Sequence, residues 1–173
     1  MTADTAFHLM ALNNAWANAT FYAALDRLPE EKFDAPAPGF FGSLKETLTH
    51  IWQVDLFYLD ALDAGGLGRS VFDRPVPDLR QDLAAAQAAT DLRFARFCQT
   101  LTDRDLSALC MTQRRHGMVQ ERVDAVLLHL VQHDIHHRGQ AHVQLHFHGV
   151  EPPQLDDFYL EYGRVPSAQA YFA

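Results

Sequence analysis

Glycine and proline divide this chain into four long stretches joined by loops, and that division limits the folds open to it. Residues 3–28 contain neither and end at Pro29, the pattern of a long helix met by a breaker. The segment 34–43, DAPAPGFFGS, holds two prolines and two glycines and reads as a loop. Ser43 is placed to cap a second helix, and Glu46 three residues on gives a capping-box pattern. That helix runs to about Asp63 and stops at Gly65-Gly66. A loop over 64–77, with Pro75 and Pro77, precedes a third helix from Leu79 to about Leu101, for which Asp78 is the expected cap. Residues 103–120 read as an extended connection, basic over 112–120 and containing Gly117. A fourth helix is expected from about Gln120 to His148, closed by Gly149 and then Pro152-Pro153. An apolar tail with Phe158, Tyr159, Leu160 and Tyr162 supplies a last helical turn or two. Four long helices with little strand signal predict an all-α fold. The expected architecture is a four-helix bundle with a short C-terminal tail, one domain over residues 1–173.

Composition narrows the function. The 173 residues are 48% hydrophobic and 21% charged, as in an ordinary globular protein and unlike a disordered one. The net charge of −8 offers no field to attract phosphate backbones, so nucleic acid is not an expected partner. No apolar run has the length of a membrane span, and the first ten residues lack the pattern of a signal peptide. The cysteines, Cys98 and Cys110, are too few for a disulfide framework. The expectation is two reduced, packed thiols in a cytoplasmic protein.

Histidine is the exception to this ordinariness. There are ten, seven of them between His129 and His148 and interleaved with Val, Leu and Ile. With about 100° per residue, His133, Val126, His137 and Gln144 fall within about 40° of one another on the fourth helix. Leu130 and Ala141 lie at about 60° and 80°. His133 and His137 therefore sit on the stripe expected to face the core. His129 and His136 flank it, and His142, His146 and His148 are expected at the surface. Imidazoles four residues apart stack on one face and can chelate one ion. His50, on a face of the second helix with Thr47, Val54 and Phe57, is the candidate third ligand. Three-histidine zinc sites leave a fourth position open for water or substrate. Neutral imidazole suits nickel, iron and copper as well.

Other motifs fit less well. His133-Asp134-Ile135-His136-His137 resembles the H-E-x-x-H zinc-protease helix with Asp for Glu, a weak alternative because Asp134 points about 100° from His133. A di-iron carboxylate bundle needs two Glu-x-x-His motifs, which are absent. Arg114, Arg115 and Arg122 form a basic patch that could take an anionic substrate if it lies by the bundle mouth. Gln140 and Gln144, and Asn14 and Asn18 on the first helix, could bond a metal-bound water or substrate, but are better read as joining helices. Gly139, mid-helix, costs about 1 kcal/mol relative to Ala; close approach of a neighbouring helix is the expected gain. Phe158, Tyr159 and Tyr171 could serve an interface, for example of a homodimer, or cap the bundle's own core.

Three segments carry a family resemblance. They are Asn14-Ala15-Trp16-Ala17-Asn18 with Leu28-Pro29-Glu30-Glu31; Phe40-Phe41-Gly42-Ser43-Leu44 leading to Leu48-Thr49-His50-Ile51-Trp52 and Asp55; and His129 through Gln140, HLVQHDIHHRGQ. In order and spacing the chain resembles the DinB-like (YfiT-like) metalloenzymes over essentially its whole length. The resemblance implies a four-helix bundle with two crossover connections and one divalent metal, zinc or nickel foremost, held by His50, His133 and His137. Relatives include transferases and isomerases that use low-molecular-weight thiols. The expected function is thus metal-dependent chemistry on a small-molecule substrate, with a thiol transferred or used. The alternatives are a non-catalytic metal-binding stress-response protein and, further off, a metalloprotease. A fourth protein ligand closing the site, Glu46 being the nearest candidate, would favour the non-catalytic alternative.

Overall fold

The computed structural model describes residues 2–172. Helix α1 (Ala3–Leu25) is followed by the one-turn α2 (Glu30–Phe33), then α3 (Leu44–Leu62), α4 (Arg80–Thr100) and the short α5 (Asp103–Leu106). Strands β1 (Leu109–Arg114) and β2 (Gly117–Arg122) lead into α6 (Val123–Phe147), and α7 (Pro166–Gln169) ends in a 3-10 turn. The fold is essentially all-α, as the punctuation predicts. The sequence-predicted first helix ends earlier than expected: Pro29, which cannot donate within a helix, instead precedes α2.

The helices pack as a ring in which α1 touches α4 and α6, and α3 touches the same two. Side-chain pairs fix their directions. Asn18 meets Asp91 while Arg80 reaches the carbonyl of Leu28, so α1 and α4 are antiparallel. Thr47 bonds Gln144 while Tyr58 packs on His129, so α3 and α6 are antiparallel. Gln87 bonds Asp55 while Arg93 bonds Asp63, so α3 and α4 are parallel. The steps from α1 to α3 and from α4 to α6 therefore cross between diagonal helices. Only the segment 63–79, which carries a 3-10 turn over Gly68–Asp73, returns along the bundle's length.

Local chemistry explains most boundaries. Ser43 Oγ accepts from the Glu46 amide at 3.2 Å, the expected N-cap. Glu46 reaches one residue further back than a capping box requires and accepts from the Gly42 amide at 2.8 Å. Asp78 does not cap α4: Leu79 occupies the cap position without a side-chain bond, and Asp78 lies 3.6 Å from Lys45. The connection expected over 103–120 is a helical turn and an antiparallel hairpin, with Arg114 paired to Gly117 across the two-residue turn Arg115-His116. Cys110 and Thr112 point from β1 into the protein, and their neighbours along the strand point out.

The core runs through all four long helices. Trp16, Ala17, Phe158 and Ala168 form a second, smaller cluster where the tail lies against α1. Phe158 is fully buried, so it caps the protein's own core, while Tyr159 is about half exposed. Both cysteines are free and buried, as expected.

Candidate metal centre

Helices α3 and α6 bring three histidines together. One ring nitrogen from each of His50, His133 and His137 lies within 4.8 Å of the others. The Nε2 atoms of His50 and His133 are 3.0 Å apart. Two nitrogens bound about 2.1 Å from a tetrahedral ion lie roughly 3.4 Å apart, so this cluster has the dimensions to hold one. The His133 and His137 rings are 4.4 Å apart, the contact that the spacing of four residues predicts. Burial pushes the His50 pKa down to about 4, helped by its two histidine neighbours, and burial lowers that of His137 as well. Both rings are therefore neutral at neutral pH, the form that binds metal.

The surroundings orient the rings. With its proton on Nδ1, His137 donates to Gln140 Oε1 at 3.0 Å, which leaves Nε2 free as a ligand. Gln140 also contacts the exposed His136 through Nε2, at 3.0 Å. Phe41 covers one side of the cluster, its ring 4.5 Å from His50 and 5.6 Å from His137. Its loop is tied down by Gln144, which donates to the Phe41 carbonyl at 3.0 Å and accepts from Thr47 at 2.8 Å. Gly39, at φ 145°, passes so close that a Cβ there would stand 3.2 Å from Gln144 Nε2. Gln144 is thus structural. Glu46, committed to the Gly42 amide, is not part of the histidine group.

On its open side the cluster faces a cleft of about 340 Å³. Val54, Phe57 and Phe72 give it apolar walls; Arg69, Arg114 and Arg115 line it with positive charge. The sequence-predicted arginine pair therefore does lie at the mouth, placed there by the hairpin. Arg122 does not; it pairs with Asp124 at 2.6 Å. Arg114 is held by the Tyr58 hydroxyl at 2.9 Å and Glu121 at 2.8 Å. Arg69 and Arg115 make no ion pair among the described residues.

Behind the histidines lies a buried polar network that sequence reading only partly anticipates. Arg138 Nη1 donates to Asn14 Oδ1 at 2.6 Å and Asn18 Oδ1 at 2.8 Å. Asn14 and Asn18 donate to Asp91, confirming their helix-joining role. Gln87 donates to both Asp91 and Asp55, and Asp55 hydrogen-bonds Asp134. Asp134, fully buried, approaches His133 Nδ1 at 3.5 Å. Burial pushes Asp55 well above the usual carboxylate range, with the Asp134 charge adding to it, and lifts Asp91 to about 7. The protease reading loses its base here, since Asp134 faces the core. Arg138, Gln87 and Asp91 carry no local signal in the sequence: a charged residue inside a helix is ordinarily a surface residue.

Of the remaining histidines, His146 is exposed as expected, and His129 and His136, which flank the inward stripe, are exposed too. His142 is not a free surface group; its Nε2 lies 2.9 Å from the Pro153 carbonyl oxygen. His148 is half-buried. Gly139 gives no close helix approach, because a Cβ there would meet nothing within 4 Å.

A crossed helical bundle with three imidazoles converging at one cleft defines a class: helical proteins with a side-chain group that could hold a metal ion. A family model described as DinB family matches residues 1–166, and the chain belongs to that family. It is 24% identical over 148 residues to Protein DinB of Bacillus subtilis strain 168, covering 82% of this chain and 85% of that one. Its fold matches a DinB-like protein from Bacillus cereus ATCC 10987 with a TM-score of 0.62 and 23% identity, over 80% of this chain and 90% of the other. A second match is the DinB-like protein YjoA of Bacillus subtilis, with a TM-score of 0.63 and 16% identity over 84% and 96%.

Proposed function

We propose that this chain is a metal-dependent enzyme acting on a small anionic substrate, with His50, His133 and His137 as the ligands of one divalent cation, zinc or nickel. The observation that carries this reading is the three-imidazole group at the head of a cleft, with no fourth side-chain ligand beside it among the described residues. Structural zinc sites are closed by four protein ligands, whereas catalytic ones hold three and leave a position open. When bound, the cation would supply Lewis acidity that favours the anionic form of a thiol or water. The protein's part is to hold and orient. Gln140 fixes the His137 tautomer, Phe41 shields the rings on one side, and the cleft arginines draw an anionic group inward. Val54, Phe57 and Phe72 exclude water from the substrate's apolar part. Use of a low-molecular-weight thiol as substrate or co-substrate is the finer proposal, and it rests on the family's chemistry.

The test is the metal content of untagged protein by plasma mass spectrometry, beside the His133→Ala variant. About one metal per chain, lost in the variant, is the expected result and justifies a thiol-substrate screen. Absence of metal after reconstitution with zinc and nickel would leave three packed histidines and remove the basis of the reading.

A further inference from the structure

Arg138 is 5% exposed, yet it makes no ion pair among the described residues. Its Nη1 is fully used by Asn14 and Asn18. Its Nε and Nη2 groups donate to no described partner, and neither belongs to the fully enclosed atoms that lack one. They therefore reach the accessible space beside the side chain. That space is a cavity of about 560 Å³ between α1, α6 and the segment after α6, within the usual size of small-molecule sites. It shares no lining residue with the histidine cleft.

The walls fit a particular kind of guest. Ile135, Pro152, Pro153 and Leu155 are apolar, and Tyr159 brings a phenol. Gly139 also lines the cavity, and a Cβ there would meet nothing within 4 Å. A glycine that weakens the middle of a helix without admitting a neighbour leaves this space open. The Nε and Nη2 edge of a guanidinium presents two parallel N–H donors that match one carboxylate. The carboxyls of Asp134, Asp91 and Asp55 lie behind Arg138, and the exposed Asp156 stands at the rim, bonded by Gln154. These surroundings disfavour a multiply charged anion such as phosphate.

We infer that this cavity is a second ligand site, one that takes a monocarboxylate with an apolar body through the Nε and Nη2 edge of Arg138. It is independent of the histidine group, which looks out on the other side of α6.

The experiment titrates the full chain with octanoate, octanamide and inorganic phosphate by calorimetry, and follows the Arg138 Nε–H resonance by NMR. Octanoate is expected to bind and to shift that resonance, with octanamide and phosphate weaker by at least about tenfold. Gly139→Leu should fold, because the added side chain enters empty space, and should weaken octanoate by about tenfold or more by filling the cavity. His133→Ala should bind octanoate as the parent does, whatever becomes of its metal. The inference is overturned if octanamide or phosphate matches octanoate, if Gly139→Leu leaves octanoate affinity unchanged, or if octanoate does not bind. Loss of octanoate binding in His133→Ala would also overturn it, by moving the carboxylate to the histidine cleft.

Discussion

Asp55 and Asp134 are two buried carboxyls in hydrogen-bond contact on facing helices, and a pair of that kind cannot both be ionised cheaply. Apart from each other they leave Asp55 Oδ1 and Asp134 Oδ2 without a donor, a pattern that one shared proton satisfies. Burial and the facing Asp134 carboxyl both raise the pKa of Asp55, so the pair favours a single shared proton, and the one charge left on it lies beside His133 and Arg138. Two substitutions separate these roles. Asp55→Asn keeps a neutral donor toward Asp134 and should change stability at pH 7 by less than about 1 kcal/mol. Asp134→Ala removes one of the buried carboxyls that act on Arg138 and opens a gap beside Asp55, and should cost at least about 2 kcal/mol in urea denaturation. Equal losses in the two variants would contradict the shared-proton arrangement. Gln140 is the corresponding test at the histidines: Gln140→Leu removes no ligand but frees the His137 ring, and zinc affinity should fall by about 10- to 100-fold.

At the scale of elements, the β1–β2 hairpin carries the chemistry that the helices lack. It places Arg114 and Arg115 at the cleft, while Arg69 arrives from the 3-10 turn that packs beside it. Gln113 Oε1 accepts from the Arg69 amide at 2.8 Å and locks the two segments together. A Cβ on Gly68, at φ 52°, would collide with the Gln113 side chain, so this joint needs glycine. Arg115→Ala touches no ion pair and should leave stability within about 0.5 kcal/mol. Its predicted effect is weaker binding of anionic ligands to the metal-loaded cleft, with the metal stoichiometry unchanged. Unchanged anion affinity would remove the arginines from the proposed function. The hairpin also marks where sequence reading stops. Its inward residues, Cys110 and Thr112, alternate with outward ones, but the strands are short and join through Arg115-His116, which is no recognised turn pair. The helices were legible because breakers bound them, and the His133–His137 pair because a spacing of four fixes a shared face. Arg138 was not legible, because nothing local distinguishes a buried charge from a solvated one; the partners that permit its burial lie on another helix.

Over the whole molecule, buried groups of opposite kinds make stability depend on pH in two directions. Asp91, with a folded pKa of about 7 against 3.8 unfolded, contributes stability that is fully present below pH 3.8 and is lost as pH rises through 7. Asp55 acts in the same sense. His50, at about 4 against 6.5, contributes stability present above pH 6.5 and lost as pH falls through 4. His137 shares that direction. Between about pH 4 and 6.5 the two effects oppose each other, so the metal-free protein should show a flatter stability profile there than either set alone would give. Metal changes only one side of this balance. A cation bound by the three histidines needs them neutral and stabilises the fold by an amount that grows with its affinity and free concentration. The rise in melting temperature on adding saturating zinc should therefore be larger at pH 7.5 than at pH 5, and His133→Ala should abolish the difference. A zinc-induced rise equal at both pH values, or retained in His133→Ala, would mean that zinc does not act through this histidine group, because imidazole ligands exchange protons for metal between those pH values.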